Sequence, residues 1–529
     1  MGKCKCKYRL RWFHSKGAFL VLFWTVLLSF VSSSVFLMGI EIVSSKILGR
    51  IRISIWFAVI PVLTLLISVP LSGWLSNAKL GNYRVFSIGC VLLFVSTVIL
   101  CLVLVMEELN IHSDVLLWVH FTVGVMFWIL GFCMCIVTAL QLGLDQMPDA
   151  SSSNISSCIA WFVCALSAGI FLSYFLSFLC IANCLRCDNS PVVALILPLC
   201  MTVILVLQFL RPKWLIIEPK SPQSLKTIYK VLKFAKQHKF PLNRSALTYW
   251  EEDIPSRIDL GKSRYGGPFT TEQVEDVKTV LRLIVVMLSF LIVSFPMLLR
   301  PNIFSEIHYQ IAGFNECSTN MIFLFTYSSP LFMVLGTILC ECVIYPLAGN
   351  RSPSLLRKVG FTSSVVVALS FSCLIIKLVQ HVLMDYSDGA VSEWIARVLY
   401  YAMSGLLSQV LFTSVLEFFC AQSPYHMRGL VLSFALSFTI ISSLIGYWLG
   451  FFLEYQVCKD QSSWCSVVPF AVKTVISLIS LVLFCVVSRW YKMRVRDDGF
   501  TQQKIVEEVY DRYLTAEAAR SSTLIMPNC

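Results

Sequence analysis

Apolar residues run along this chain in uninterrupted blocks rather than in the alternating or three-to-four spacing of half-buried strands and amphipathic helices. Twelve blocks occupy 17–40, 53–74, 85–106, 115–143, 159–183, 192–210, 279–299, 320–347, 360–380, 396–421, 429–452 and 466–488. Each matches the length a helix needs to cross a hydrocarbon core of about 30 Å. Backbone polar groups find no water there, so each block is expected to be a helix that satisfies them internally.

The blocks fall six and six around a polar segment from Arg211 to Lys278. The expected organisation is a basic tail (1–16), a six-helix half (17–210), a linker (211–278), a second six-helix half (279–488) and a C-terminal tail (489–529). Composition agrees with a membrane protein: 57% of residues are apolar and 14% charged, against about a quarter charged in soluble domains. With the N-terminus on the cytoplasmic side, 32 of the 42 Lys and Arg lie in cytoplasmic tails and loops. Both termini are therefore expected inside. The compartment is left open between plasma membrane and endolysosome.

The net charge of +12 is read as basic loops facing anionic headgroups of the lipid bilayer, with no nucleic acid implied. Within the linker, KTIYKVLKFAKQHKF (226–240) is either a basic amphipathic helix on the membrane or a solvated connector. The 21 cysteines sit mostly in apolar blocks, without metal-ligand spacing, so no metal site is expected. Cys458 and Cys465 flank a short outer loop; they either pair as a disulfide or remain two free thiols. No phosphate-binding loop, zinc-protease helix or nucleophile elbow is present, so neither an enzyme nor an ATP-driven pump is expected.

Three stretches carry a resemblance. SGWLSNAKLGNYRV (72–85) follows span two, with Gly73, Leu80, Gly81 and Tyr83 in the pattern G-x-x-A-D-x-x-L-G-R-Y. LGLDQMP (142–148) follows span four and holds Asp145 and Gln146. EFFCAQSPYHMRGL (417–430) ends span ten with Glu417, Phe418, Gln422, Pro424, Met427, Arg428 and Gly429 at fixed spacing. ECVIYPL (341–347) and the linker end RIDLGKSRYGGPFTTEQVEDVKTVLRL (257–283) add to them. Together they resemble the proton-coupled oligopeptide transporters, a family of the major facilitator superfamily. The resemblance implies an all-α membrane fold of twelve helices in two halves that rock about a midplane site. It also implies a monomer that carries a small-molecule solute such as a di- or tripeptide, with no cofactor beyond a proton as coupling ion.

By the same resemblance Glu417 is expected to face the cavity and pair with a substrate amine; a structural pair with a Lys or Arg near the inner mouth is the other reading. Asp145 and Gln146 are expected at the cytoplasmic mouth, as gate and scaffold or as helix cap. Gly73, Gly81, Gln422, Pro424 and Arg428 belong to the same scaffold, and Glu341 is expected to pair with a basic loop residue. The chain also departs from the family. Asn77 stands for Asp and Asn82 for Arg. The first-helix motif E-x-x-E-R falls on Phe30, Ser33 and Ser34, and the family's fourth-helix Lys on Ile136. None of the first six spans holds Asp, Glu, Lys or Arg, so the groups expected to move protons and clamp a carboxylate are missing. Two functions follow: a secondary transporter of peptide-like or amine-bearing solutes, or a non-transporting adaptor or receptor derived from one.

Overall fold

The computed structural model describes residues 15–47, 51–108, 114–147, 152–181, 204, 215–216, 224–239, 256–298, 328–348, 354–382, 389–424, 427–459 and 467–491. The chain forms two compact units, Met1–Arg489 and Trp490–Cys529; the first is described here.

The described residues are helical, with no strand among them. The first five apolar blocks become α1 (Lys16–Ile47), α2 (Ile51–Leu75), α3 (Asn82–Glu108), α4 (Asp114–Asp145) and α5 (Ser152–Ile181). The sixth, 192–210, lies outside the described residues apart from Ile204. In the linker, α6 spans Ser224–Gln237. The second half contains α7 (Thr271–Leu298), α8 (Ser328–Leu339), α9 (Tyr345–Ala348), α10 (Leu355–Val382), α11 (Gly389–Gln422), α12 (Arg428–Lys459) and α13 (Val468–Trp490). A π turn, Cys340–Ile344, joins α8 to α9 within one span, and another, Ser76–Leu80, ends α2.

Eight described helices are long and apolar enough to cross a membrane. Their outer surface is apolar too: Phe19, Ile67 and Phe361 are 64%, 65% and 71% exposed. Such a belt is costly in water and favourable in lipid. The protein is an integral, multi-pass membrane protein.

Within the first half α3 packs on α4, α1 on α5 and α2 on α4; within the second, α11 lies between α8 and α10, and α7 packs on α12. The halves meet chiefly along α2 with α12 and along α5 with α8. Small hydroxyl residues permit close approach between membrane helices. Ser34 Oγ lies 2.9 Å from Ser173 Oγ, and Ser29 Oγ donates to the Ala165 carbonyl at 3.4 Å, so α1 fits closely on α5.

The basic stretch of the linker folds as a helix docked by its apolar face on α7. Val231 on α6 is buried against Val274 and Val277 of α7, with Ile228, Ile258, Phe269 and Leu281 around them. Phe234 meets Phe269 edge to face, ring centroids 6.0 Å apart. The apolar face is thus spent on the protein, and the helix is neither laid on lipid by that face nor a free connector. Beside it a four-residue ion cluster fastens the linker to α7. Lys262 bridges Asp259 at 2.7 Å and Glu275 at 2.5 Å, and Lys278 also reaches Asp259. Burial alone would raise the Asp259 carboxyl, but hydrogen bonds from Lys262, Lys278 and Ser256 hold it well below the usual range. Glu275 is lowered likewise, its burial outweighed by Lys262 and Lys278.

Candidate functional site

The residues singled out in sequence converge on the side of the bundle from which the linker leaves. Gly81, at φ 83° and ψ 158°, turns the chain from the α2 π turn into α3. That backbone conformation is open to glycine and strained for other residues. One residue on, the Asn82 amide donates to the Asp145 carboxylate at 2.6 Å and ties the start of α3 to the end of α4. At the position where the resembling family pattern has Arg, Asn82 thus reaches Asp145 without a positive charge. Asn77 donates to the Gly73 carbonyl at 3.0 Å within its own turn.

Gln146 clamps backbone. Its amide oxygen accepts from Ile216 N at 3.0 Å, and its amide nitrogen donates to Ile216 O at 2.8 Å and Leu142 O at 3.2 Å. Ser15 Oγ donates to the Gln146 carbonyl at 3.0 Å. The side chain also presses on Gly17, where a Cβ would lie 2.3 Å from Oε1. Gln146 thus touches the start of α1, the end of α4 and the start of the linker together.

Across the halves, α2 and α12 touch through Gly73 and Gly429. A Cβ on Gly73 would lie 2.0 Å from Ser433 Oγ and 2.3 Å from Ser433 Cβ, and one on Gly429 would lie 1.7 Å from the Gln141 amide nitrogen. Above this contact Val69, Ile129, Cys133 and Val137 form a buried cluster on which Leu436 and Ile440 of α12 pack. On the other flank Ser157 Oγ of α5 donates to Glu341 Oε2 at 3.0 Å, both residues 2% exposed. Further in, Ser167 Oγ approaches Met333 Sδ at 3.6 Å. Ten residues of α5 separate Ser157 from Ser167, about 15 Å along the helix and about half the hydrocarbon thickness. Over that depth the halves are in contact on the linker side.

Glu417 lies five residues from the end of α11, about 7 Å from the helix terminus. It faces Lys358 of α10, Nζ to Oε2 3.6 Å, and the same ammonium stands 5.0 Å from the centre of the Tyr345 ring. The structural alternative for Glu417 is thus present, with the base supplied by the loop side of span nine. Glu341, expected to take a basic loop partner, accepts a hydrogen bond from Ser157. Gln422 and Pro424 are buried at the α11–α12 corner, where Met427 N donates to Pro424 O at 2.9 Å, and Arg428 begins α12.

Of the first-helix positions that carry charge in the resembling family, Phe30 is apolar and Ser33 and Ser34 are hydroxyls. Ser33 Oγ donates to Ser29 O at 2.5 Å, Ser34 meets Ser173, and Trp128 Nε1 donates to Ser32 Oγ at 2.9 Å. Lys473, on α13, is 5% exposed and so does not extend to the solvent as a terminal snorkelling lysine would. The Cys458 side chain and Cys465 lie outside the described residues. Sequence reasoning missed Ser157, Gln141 and Ser433, whose types carry no signal of their own. It also missed Lys358, whose place as a base at the linker-side start of span nine could have marked it.

No protein-family model matches the chain, and no curated protein matches it in sequence. Solved structures do match. The POT family transporter PepTSo superposes with TM-score 0.60 at 18% identity, over 89% of this chain and 98% of that one. The human organic anion transporter MFSD10 (TETRAN) gives 0.55 at 14%, over 89% of this chain and all (100%) of that one. The major facilitator superfamily proton:xylose symporter XylE gives 0.55 at 14%, over 88% and 94%. The chain has the major facilitator fold.

Proposed function

We propose that this chain is a secondary transporter of small organic solutes, a divergent member of the proton-coupled oligopeptide transporter family, with a peptide-like or amine-bearing substrate. The observation that carries the reading is the seam between the halves. On the linker side the described residues hold it shut by the close approaches at Gly73 and Gly429, the packing of Leu436 and Ile440, and the Ser157–Glu341 hydrogen bond, contacts of the kind that alternating access must break and remake. The motif residues Gly73, Glu341, Arg428 and Gly429 gather at that seal or beside it, which supports the family reading.

In this reading Glu417 receives a substrate ammonium in exchange for Lys358, a partner held at 3.6 Å and so loosely enough to be displaced. Both termini and the linker face the cytoplasm, and the protein acts as a monomer. Because the hydroxyls of Ser33 and Ser34 cannot take up and release protons at physiological pH, coupling through the first helix is replaced by facilitated diffusion or by coupling through Glu417.

The test is uptake of a labelled dipeptide, then of a panel of small amines, into proteoliposomes with and without an inward proton gradient. Uptake above protein-free liposomes, reduced by Glu417→Gln, is the expected result. A full panel without flux would remove the transporter reading. It would leave the adaptor reading, which the uncharged first-half interior favours.

A further inference from the structure

The helix α6 has two faces, and only one is accounted for. Its apolar side is docked on α7, as described above. The opposite side exposes Lys226, Lys230, Lys233 and Lys236, with Lys239 just beyond the helix end and no acid between 224 and 239. Near the middle of that basic face is Tyr229, 65% exposed, and at its edge Leu232, 37% exposed.

The docking also fixes the height of the helix. Its buried partners on α7 are Val274 and Val277, and the apolar stretch of α7 begins at 279. At 1.5 Å per residue, α6 therefore meets α7 about 3–8 Å outside the hydrocarbon. That is the depth of a headgroup layer, which is about 5–8 Å thick on each side. Lysines around an exposed tyrosine are the composition of that layer: ammonium groups for phosphate and carboxylate, an amphipathic ring between them. The acids that α7 places nearby are Glu272, exposed, Asp276, half-buried and with a partner of its own, and Glu275, already engaged by Lys262 and Lys278, three against the five lysines of 226–239. They leave the lysine face positive.

We infer that the lysine face of α6 is a binding surface for anionic lipid headgroups, which pins the linker to the bilayer. The surface exists whether or not the protein transports. Binding is additive in charge, at about a fivefold change in affinity per lysine near the surface, and weakens as salt shortens the screening length.

The full chain, purified in detergent, would be titrated with phosphatidylserine and separately with phosphatidylcholine, and retained lipid per protein read by native mass spectrometry. The test variant replaces Lys226, Lys230, Lys233 and Lys236 by Gln, which leaves the docked face untouched. A control replaces Arg84 and Arg357, exposed elsewhere on the linker side, by Gln. The expected result is phosphatidylserine retention that falls about tenfold or more in the lysine variant, stays level in the arginine control, and falls in unmutated protein at high salt. The salt arm needs no variant, so it holds even if the variant is lost on purification. Equal retention in the lysine variant, equal loss in the control, or salt-insensitive retention overturns the inference. So does capture of an acidic peptide, such as oligoglutamate, without preference for phosphatidylserine, which would assign the face to a protein partner.

Discussion

A single methyl group at Gly73 should prise the linker-side seal open. In Gly73→Ala the new Cβ falls 2.3 Å from Ser433 Cβ and 3.2 Å from the Gly429 carbonyl oxygen. Ser433 Oγ, at 2.0 Å, can rotate away; its Cβ and the backbone cannot. Relief requires α2 and α12 to separate by about 1 Å, and overpacking of this kind costs about 1–3 kcal/mol. The strain exists only while the seam is shut, so it biases the equilibrium between closed and open seams by about 5- to 150-fold. Native cysteines report this directly. Cys133 lies in the cluster that α12 covers and is 1% exposed, whereas Cys90 and Cys135 face each other at 3.7 Å between α3 and α4, inside one half. Mass-spectrometric alkylation should speed up at Cys133 by a factor in that range and stay unchanged at Cys90 and Cys135. A rise at all three would report general loosening, and a rate at Cys133 within about twofold of the parent would refute the packing argument.

Three further outcomes are expected. Ser157→Ala removes a hydroxyl donated to a buried carboxylate, about 1.5–3 kcal/mol, and should accelerate alkylation of Cys158 beside it. Asn82→Asp sets a second carboxylate against Asp145 in a buried position and should lower the thermal midpoint, by about 2 kcal/mol of stability or more, while Asn82→Arg should not. The folded-state pKa of Asp259 is depressed, so its contribution is present above about pH 4 and lost as pH falls further. The stability gap between parent and Asp259→Asn should therefore be flat from pH 5 to neutrality and narrow below about pH 4, as thermal midpoints across pH would record.

The spans were legible because lipid leaves the chain one option, and block length then counts helices directly. Gly81 was legible as a turn, and Asp145 as the end of its helix, because short local motifs carry their own geometry. The partners were not. Ser157 and Glu341 stand 184 positions apart, and nothing in either neighbourhood names the other. The pairing of Lys358 with Glu417 depends on how α10 leans on α11, a packing outcome. What the apolar face of the basic linker helix meets was not legible, because charge pattern alone does not say it; here it meets α7.

The π turn Cys340–Ile344 has a bearing on descent. A π turn holds one residue more than the α-helical course it interrupts. The turn takes up that residue as a bulge, so the helix beyond it keeps the course it would have without it. Tyr345, with Lys358 above its ring, keeps its direction across the extra residue. Loss of a single codon between Cys340 and Ile344 would restore a regular α-helical course and leave Tyr345 facing α10, with every downstream amino acid unchanged. At such a place two lineages can differ in length by one residue and still present the same face of the eighth span to the ninth.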